Sequence, residues 1–120
     1  MTRFWAVASA ANAFIAVAAG AFGAHALRAK LNSELMAIFE TGARYHMYHA
    51  LGLAAVAGAL AQGRAANAAG WLMLAGIVLF SGSLYALSIS GARQLGAITP
   101  LGGVCFLAGW AVLAWAYVRS

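Results

Sequence analysis

Ala65–Ala92 reads AANAAGWLMLAGIVLFSGSLYALSISGA, 28 consecutive residues without a Lys, Arg, Asp or Glu. A helix rises ~1.5 Å per residue, so ~20 apolar residues cross a ~30 Å hydrocarbon core. The stretch therefore reads as a membrane-spanning helix. Working outward, the pattern repeats. Phe4–Leu27 is free of charge for 24 residues, Tyr45–Gly63 for 19 and Gln94–Val118 for 25. The expected fold class is an all-α membrane protein, a four-helix transmembrane bundle forming a single integral membrane domain over residues 1–120. Its spans are expected at about 4–24, 45–61, 68–90 and 100–118.

Composition supports lipid as the main solvent. The chain is 65% hydrophobic and 8% charged, against ~25% charged in an ordinary soluble domain. The net charge of +5 raises nucleic acid as a partner, but the basic residues lie singly along the chain rather than on one face, so no nucleic acid is expected. They read as anchors beside lipid headgroups. The single cysteine, Cys105, excludes an internal disulfide and reads as a small apolar residue. Arg3, an apolar run and Ala24-His25-Ala26 imitate a signal peptide. The run is longer than a ~7–15-residue signal core, and we expect it to be kept as the first span.

Within that span Ala16, Gly20 and Ala24 form a small-residue stripe that lets another helix come close. Asn12, near mid-membrane, suits an interhelical hydrogen bond. Between the first two spans, Leu31, Leu35, Ile38 and Phe39 recur at helical spacing, with Ser33, Glu40 and Arg44 on the other side. This predicts a short amphipathic interfacial helix over about 31–43, capped by Asn32 or Ser33. Glu40 and Arg44 are spaced as an i,i+4 ion pair, a clamp between that helix and span two. Thr99-Pro100 opens the last span, Trp71 anchors span three, and Trp110, Trp115 and Tyr117 are expected at the far interface.

Four spans place both termini and the Gln62–Asn67 turn on one side. Arg3, Arg64 and Arg119 lie there, against Arg28, Lys30, Arg44 and Arg93 opposite. The balance sets orientation weakly, with a lean towards cytoplasmic termini. The opposite half collects every histidine and both acids, together with Tyr45, Tyr48, Tyr85, Ser88, Ser90 and Thr99.

The sharpest constellation there is His25, Glu40 and His49, with His46 beside them. Imidazoles plus a carboxylate suit Zn²⁺, Cu²⁺ or Fe. Histidines bonded to backbone or tyrosines are the alternative, and a pH-sensitive group is a third. Further structural or ligand-contact candidates are Arg44, Tyr45, Ser81, Ser83, Tyr85, Thr99 and Pro100. Ser81 and Ser83 supply hydroxyls inside the membrane without a base at a diagnostic spacing.

The blocks Gly20-Ala21-Phe22-Gly23-Ala24-His25, Phe39-Glu40-Thr41-Gly42 with Tyr45 and His49, Phe80-Ser81-Gly82-Ser83-Leu84-Tyr85, Ile98-Thr99-Pro100-Leu101-Gly102-Gly103 and Phe106-Leu107-Ala108-Gly109-Trp110 occur in this order. They resemble the bacterial YgdD-like family, small four-span membrane proteins of unknown function with animal relatives. The resemblance implies a four-helix protein of the bacterial inner membrane and no activity. It covers His25, Glu40, Thr41, Gly42, Tyr45, His49, Ser81, Gly82, Ser83, Tyr85, Thr99 and Pro100, but not His46. The function expected is non-enzymatic, a membrane protein that self-associates or binds a larger membrane partner within the lipid bilayer. The alternative is a small transporter or a metal- or ligand-binding module at His25/Glu40/His49. No cofactor is specified.

Overall fold

The computed structural model describes residues 1–119. They form four long helices and no strand among the described residues. We number them α1, Thr2–Leu27; α2, Ser33–Ala61; α3, Asn67–Ser90; and α4, Thr99–Val118. A 3₁₀ turn, Arg93–Ala97, leads into α4. Three helical stretches, Thr2–Leu27, Asn67–Ser90 and Arg93–Val118, are long and apolar enough to cross a membrane. The second helix is longer, but between its start and its middle turn it carries Glu34, Glu40, Arg44, Tyr45, His46, Tyr48 and His49.

That helix corrects one expectation. There is no separate interfacial helix at 31–43; the amphipathic segment and the second apolar stretch are one unbroken helix of 29 residues. Asn32 Oδ1 accepts from the Leu35 N–H at 2.8 Å and fixes only its start. Nothing between Phe39 and Tyr45 breaks it. Gly42 stays helical because it lies under the next helix: a Cβ there would meet Tyr85 Cε1 at 3.1 Å and Leu84 Cβ at 3.2 Å. Phe39 is buried against the Tyr85 ring, 5.2 Å between centroids. The apolar face of this segment therefore packs on the bundle.

The helices pack in chain order, α1 on α2, α2 on α3 and α3 on α4, with a lighter contact between α2 and α4. The result is slim, 49 × 26 × 16 Å along its principal axes. The Ala16/Gly20/Ala24 stripe is used inside the chain: Ala16 and Ala24 are buried, and a Cβ at Gly20 would sit 3.8 Å from Ala43 Cβ. At the end of the bundle holding the termini, Trp5 is fully buried. Its indole N–H donates to Asn67 Oδ1 at 2.9 Å, joining α1 to α3. Trp5, Leu53, Val56, Met73, Phe106 and Leu113 belong to one apolar core.

The α3–α4 contact depends on glycine. A Cβ at Gly109 would meet Met73 Cγ at 2.9 Å, and one at Gly102 would lie 2.8 Å from Phe80 Cα. Such separations let two backbones approach as only small residues allow. α3 ends at Gly91, whose φ of 74° gives the left-handed helix cap that other residues adopt at a cost. α1 and α3 each contain one π-helical segment, at Ala18–Gly23 and Ile77–Ser81. Such segments add a residue to a turn and recur near functional sites.

Candidate functional site

α2 carries His46 and His49 three residues apart, and both are buried. Flanking helices take them in different directions. His46 Nε2 lies 2.9 Å from Asn12 Oδ1 on α1, and its Nδ1 lies 3.0 Å from the Tyr85 hydroxyl on α3. Asn12 Nδ2 donates to the Ala8 carbonyl at 2.8 Å, which fixes Oδ1 as the atom facing His46. The self-consistent pattern has the His46 Nε2–H donating to Asn12 and the Tyr85 O–H donating to Nδ1. Three helices are thereby joined by one relay of polar side chains in the interior.

His49 takes the opposite tautomer. Its Nδ1–H donates to the Tyr45 carbonyl at 2.7 Å, and its Nε2 accepts from the Trp110 indole N–H at 3.0 Å. Phe106 stacks on it, with centroids 3.4 Å apart and rings 6° from parallel. His49 thus ties α2 to α4. Both imidazoles are satisfied by this chain alone, as buried polar groups require. Asn12 makes the interhelical bond expected of it. Trp110 donates its indole N–H to His49 while its ring stays 41% exposed.

The remaining hydroxyls are mostly satisfied as well. Ser83 Oγ donates to the Phe80 carbonyl at 2.9 Å and accepts from the Thr99 hydroxyl at 2.6 Å. Thr99 therefore ties α4 to α3 instead of capping its own helix. Ser81, at the end of the π segment, is fully buried, and its hydroxyl has no partner among the described residues. Pro100 occupies the first turn of α4, where its missing N–H costs nothing.

The trio His25, Glu40 and His49 is not assembled. His25, Glu40 and Arg44 are exposed, and among the described residues no three His, Cys, Asp or Glu side chains converge to hold a metal ion. His49 has already committed both ring nitrogens. Glu40 and Arg44 make no ion pair; Arg93 pairs with Glu34 instead. Both partners are more than half exposed, and such a pair contributes little. It does hold the loop before α4 to the start of α2.

Beside His49 the surface opens into a cleft of about 500 Å³ between α2 and α4. Tyr45 and His49 line one wall, Phe80 the floor, and Pro100, Phe106 and Trp110 the other wall. Sequence reasoning had Tyr45, His49 and Pro100 among its candidates. It had Phe80, Phe106 and Trp110 only within the family-like blocks, and Trp110 as an interfacial anchor, because an aromatic ring beside other apolar residues carries no sign of which cleft it lines.

A slim bundle of long apolar helices, with its polar side chains turned inward on one another, defines a helical membrane protein of the small multi-helix class. The chain belongs to a family described as "Protein of unknown function (DUF423)", which it matches over residues 19–103. It is 51% identical over 116 residues to the UPF0382 membrane protein YwdK of Bacillus subtilis (strain 168), covering 94% of each chain. It is 49% identical over 116 residues to the UPF0382 membrane protein SERP0230 of Staphylococcus epidermidis, covering 94% of this chain and 93% of that one. To the UPF0382 membrane protein SAB0533 of Staphylococcus aureus it is 42% identical, covering 92% of each. No solved structure matches. The resemblance read from the sequence thus holds at the level of a membrane-protein family of unknown function.

Proposed function

We propose that this is a four-span protein of the bacterial inner membrane, with cytoplasmic termini, that works by association within the bilayer and not by catalysis. The fourth span is α2. Its low hydropathy comes from Tyr45, His46, Tyr48, His49 and Arg44. The two imidazoles among them are bonded to α1, α3 and α4 or to α2's own backbone, so hydrocarbon does not have to solvate them. Cysteines placed at Asn32, Gln62 and Gln94 in a Cys105→Ala background test this. A membrane-impermeant maleimide should label Asn32→Cys and Gln94→Cys from outside and Gln62→Cys only after permeabilisation. Labelling of Asn32→Cys and Gln62→Cys from the same side would remove α2 from the membrane.

The observation that carries the binding reading is the cleft beside His49. The bundle uses its two buried histidines, His46 and His49, to hold itself together, so neither of these imidazoles is left as a base for a nucleophile. What it offers to its surroundings is a shaped apolar recess on a lipid-facing wall. A benzophenone side chain placed at Leu107, on the cleft, should give a discrete adduct in native membranes. Placed at Val78, which is exposed on α3, it should give only diffuse lipid labelling. An adduct of twice the protein's mass identifies a second copy, and a heavier discrete one a different membrane protein. The same diffuse labelling from both positions would sink the reading.

A further inference from the structure

We propose that the turn between α2 and α3, together with the end of α4, binds the phosphate of an anionic phospholipid through Arg64 and Arg119. This rests on the reading above that α3 and α4 cross the bilayer, and it does not involve the cleft. Three observations carry it.

The first is how the two cations are held. Just past α2, Gly63 takes a φ of 80° and turns the chain so that the Arg64 N–H returns to the Ala59 carbonyl at 3.0 Å. With its backbone fixed in this way, Arg64 sets its guanidinium carbon 4.3 Å from the centre of the Tyr117 ring on α4, a cation–π contact. Arg119 reaches back from the end of α4, its Nη2 donating to the Ala65 carbonyl at 3.2 Å. Two guanidinium groups are therefore tied to one turn.

The second is the want of an anion. Arg64 is half-buried, and its Nη1 is buried with no hydrogen-bond partner among the described residues. Its side chain makes one long hydrogen bond, 3.4 Å from Nε to Gln62 Oε1. A partly desolvated charge costs free energy until a counter-charge meets it. The chain's two acids, Glu34 and Glu40, cannot do so, because Glu40 is separated from Gln62 by ~33 Å of unbroken helix. A phosphate suits the place, since its oxygens take the paired N–H groups of a guanidinium. The third is depth. Trp71 and Trp115 stand exposed one turn in from Asn67 and Arg119, and Tyr117 is 42% exposed. Exposed Trp and Tyr collect at the level of lipid headgroups, so the two cations lie where lipid phosphates lie.

The test is native mass spectrometry of the full chain released from detergent micelles, titrated with phosphatidylglycerol or with phosphatidylcholine of the same acyl chains. Phosphatidylglycerol should bind its tightest site about 25-fold more strongly than phosphatidylcholine, about fivefold for each basic group at an anionic headgroup. Arg64→Gln and Arg119→Gln should each lower that preference about fivefold, and the double variant should bring it near unity. Arg119 is exposed, so its variant keeps the test open should Arg64→Gln not fold. Arg28→Gln/Lys30→Gln, at the opposite end of the bundle, should leave the preference unchanged. An equal loss from that pair would reduce the effect to overall charge and overturn the site. Displacement of phosphatidylglycerol by millimolar ammonium phosphate would make free phosphate the ligand and overturn the lipid. A tail of neutral residues added after Ser120 should change nothing. Tight binding confined to the lengthened chain would mean that the terminal carboxylate itself answers Arg64 and Arg119, and would overturn the proposal. No preference in the wild type would overturn it as well, while the cysteine labelling that tests the spans stands or falls separately.

Discussion

His46→Leu is expected to lower stability by about 2–3 kcal/mol. The substitution breaks two interhelical bonds, each worth ~0.6–1.7 kcal/mol inside a membrane. It also leaves the Asn12 carboxamide oxygen and the Tyr85 hydroxyl unpartnered, and a stranded polar group costs more than a bond never made. The effect should therefore reverse when the whole relay is made apolar. The triple variant Asn12→Leu/His46→Leu/Tyr85→Phe should recover much of the loss. Reversible unfolding in mixed micelles with rising SDS content measures both. A His46→Leu protein as stable as wild type would mean that the relay holds nothing together.

The second large effect is expected at Gly102. Its added methyl would lie 2.7 Å from Phe80 Cβ and 2.8 Å from Phe80 Cα. The obstacle is mostly backbone within a packed helix, which cannot turn aside as a side chain tip can. Gly102→Ala must push α4 away from α3, disturbing the Ser83–Thr99 bond and the Gly109–Met73 contact along the same seam. Overpacking of this kind costs ~1–3 kcal/mol where neighbours can yield, and we expect about 3 kcal/mol or more here. Gly103→Ala is the control one residue along. It has free space and gains up to ~1 kcal/mol of helix propensity, so it should be neutral or mildly stabilising. The same unfolding assay compares the two, and similar behaviour of both would contradict the seam geometry.

The end of α3 and the start of α4 are marked in the sequence by charge and backbone chemistry together. Gly91 closes α3 and Thr99-Pro100 opens α4. The first half of α2 was harder to read. Its amphipathic pattern suits a helix lying among headgroups and equally a helix whose apolar side is covered by neighbours. Only the placement of Phe39 and Gly42 under Tyr85 decides between them. The two π segments lie in uniformly apolar runs, where an extra residue per turn leaves no trace.

Of the buried polar relay, the sequence singles out Asn12, His46, His49 and Tyr85 one by one, but not their grouping. Helical spacing brings His46 and His49 within one turn, and that turn faces two gaps between helices. Asn12 and Tyr85 take His46 through one gap; Trp110 takes His49 through the other. Such pairings depend on which helix fills which gap, information carried by the glycine seams rather than by the polar residues themselves. Thr99 reads from its position before Pro100 as the opening of the last span, and it acts as a tie because Ser83 lies within reach.

The continuity of α2 has a mechanical consequence. A 29-residue helix is a stiff rod ~44 Å long, and its exposed end, near Ser33 and Glu34, is rigidly joined to the turn that carries both histidines. With Asn12, Tyr85 and Trp110 bonded to it near its midpoint, and Phe39 buried on one side of that point and Leu53, Val56 and Ala59 on the other, the rod is braced along most of its length and only its first turn stands clear of the bundle.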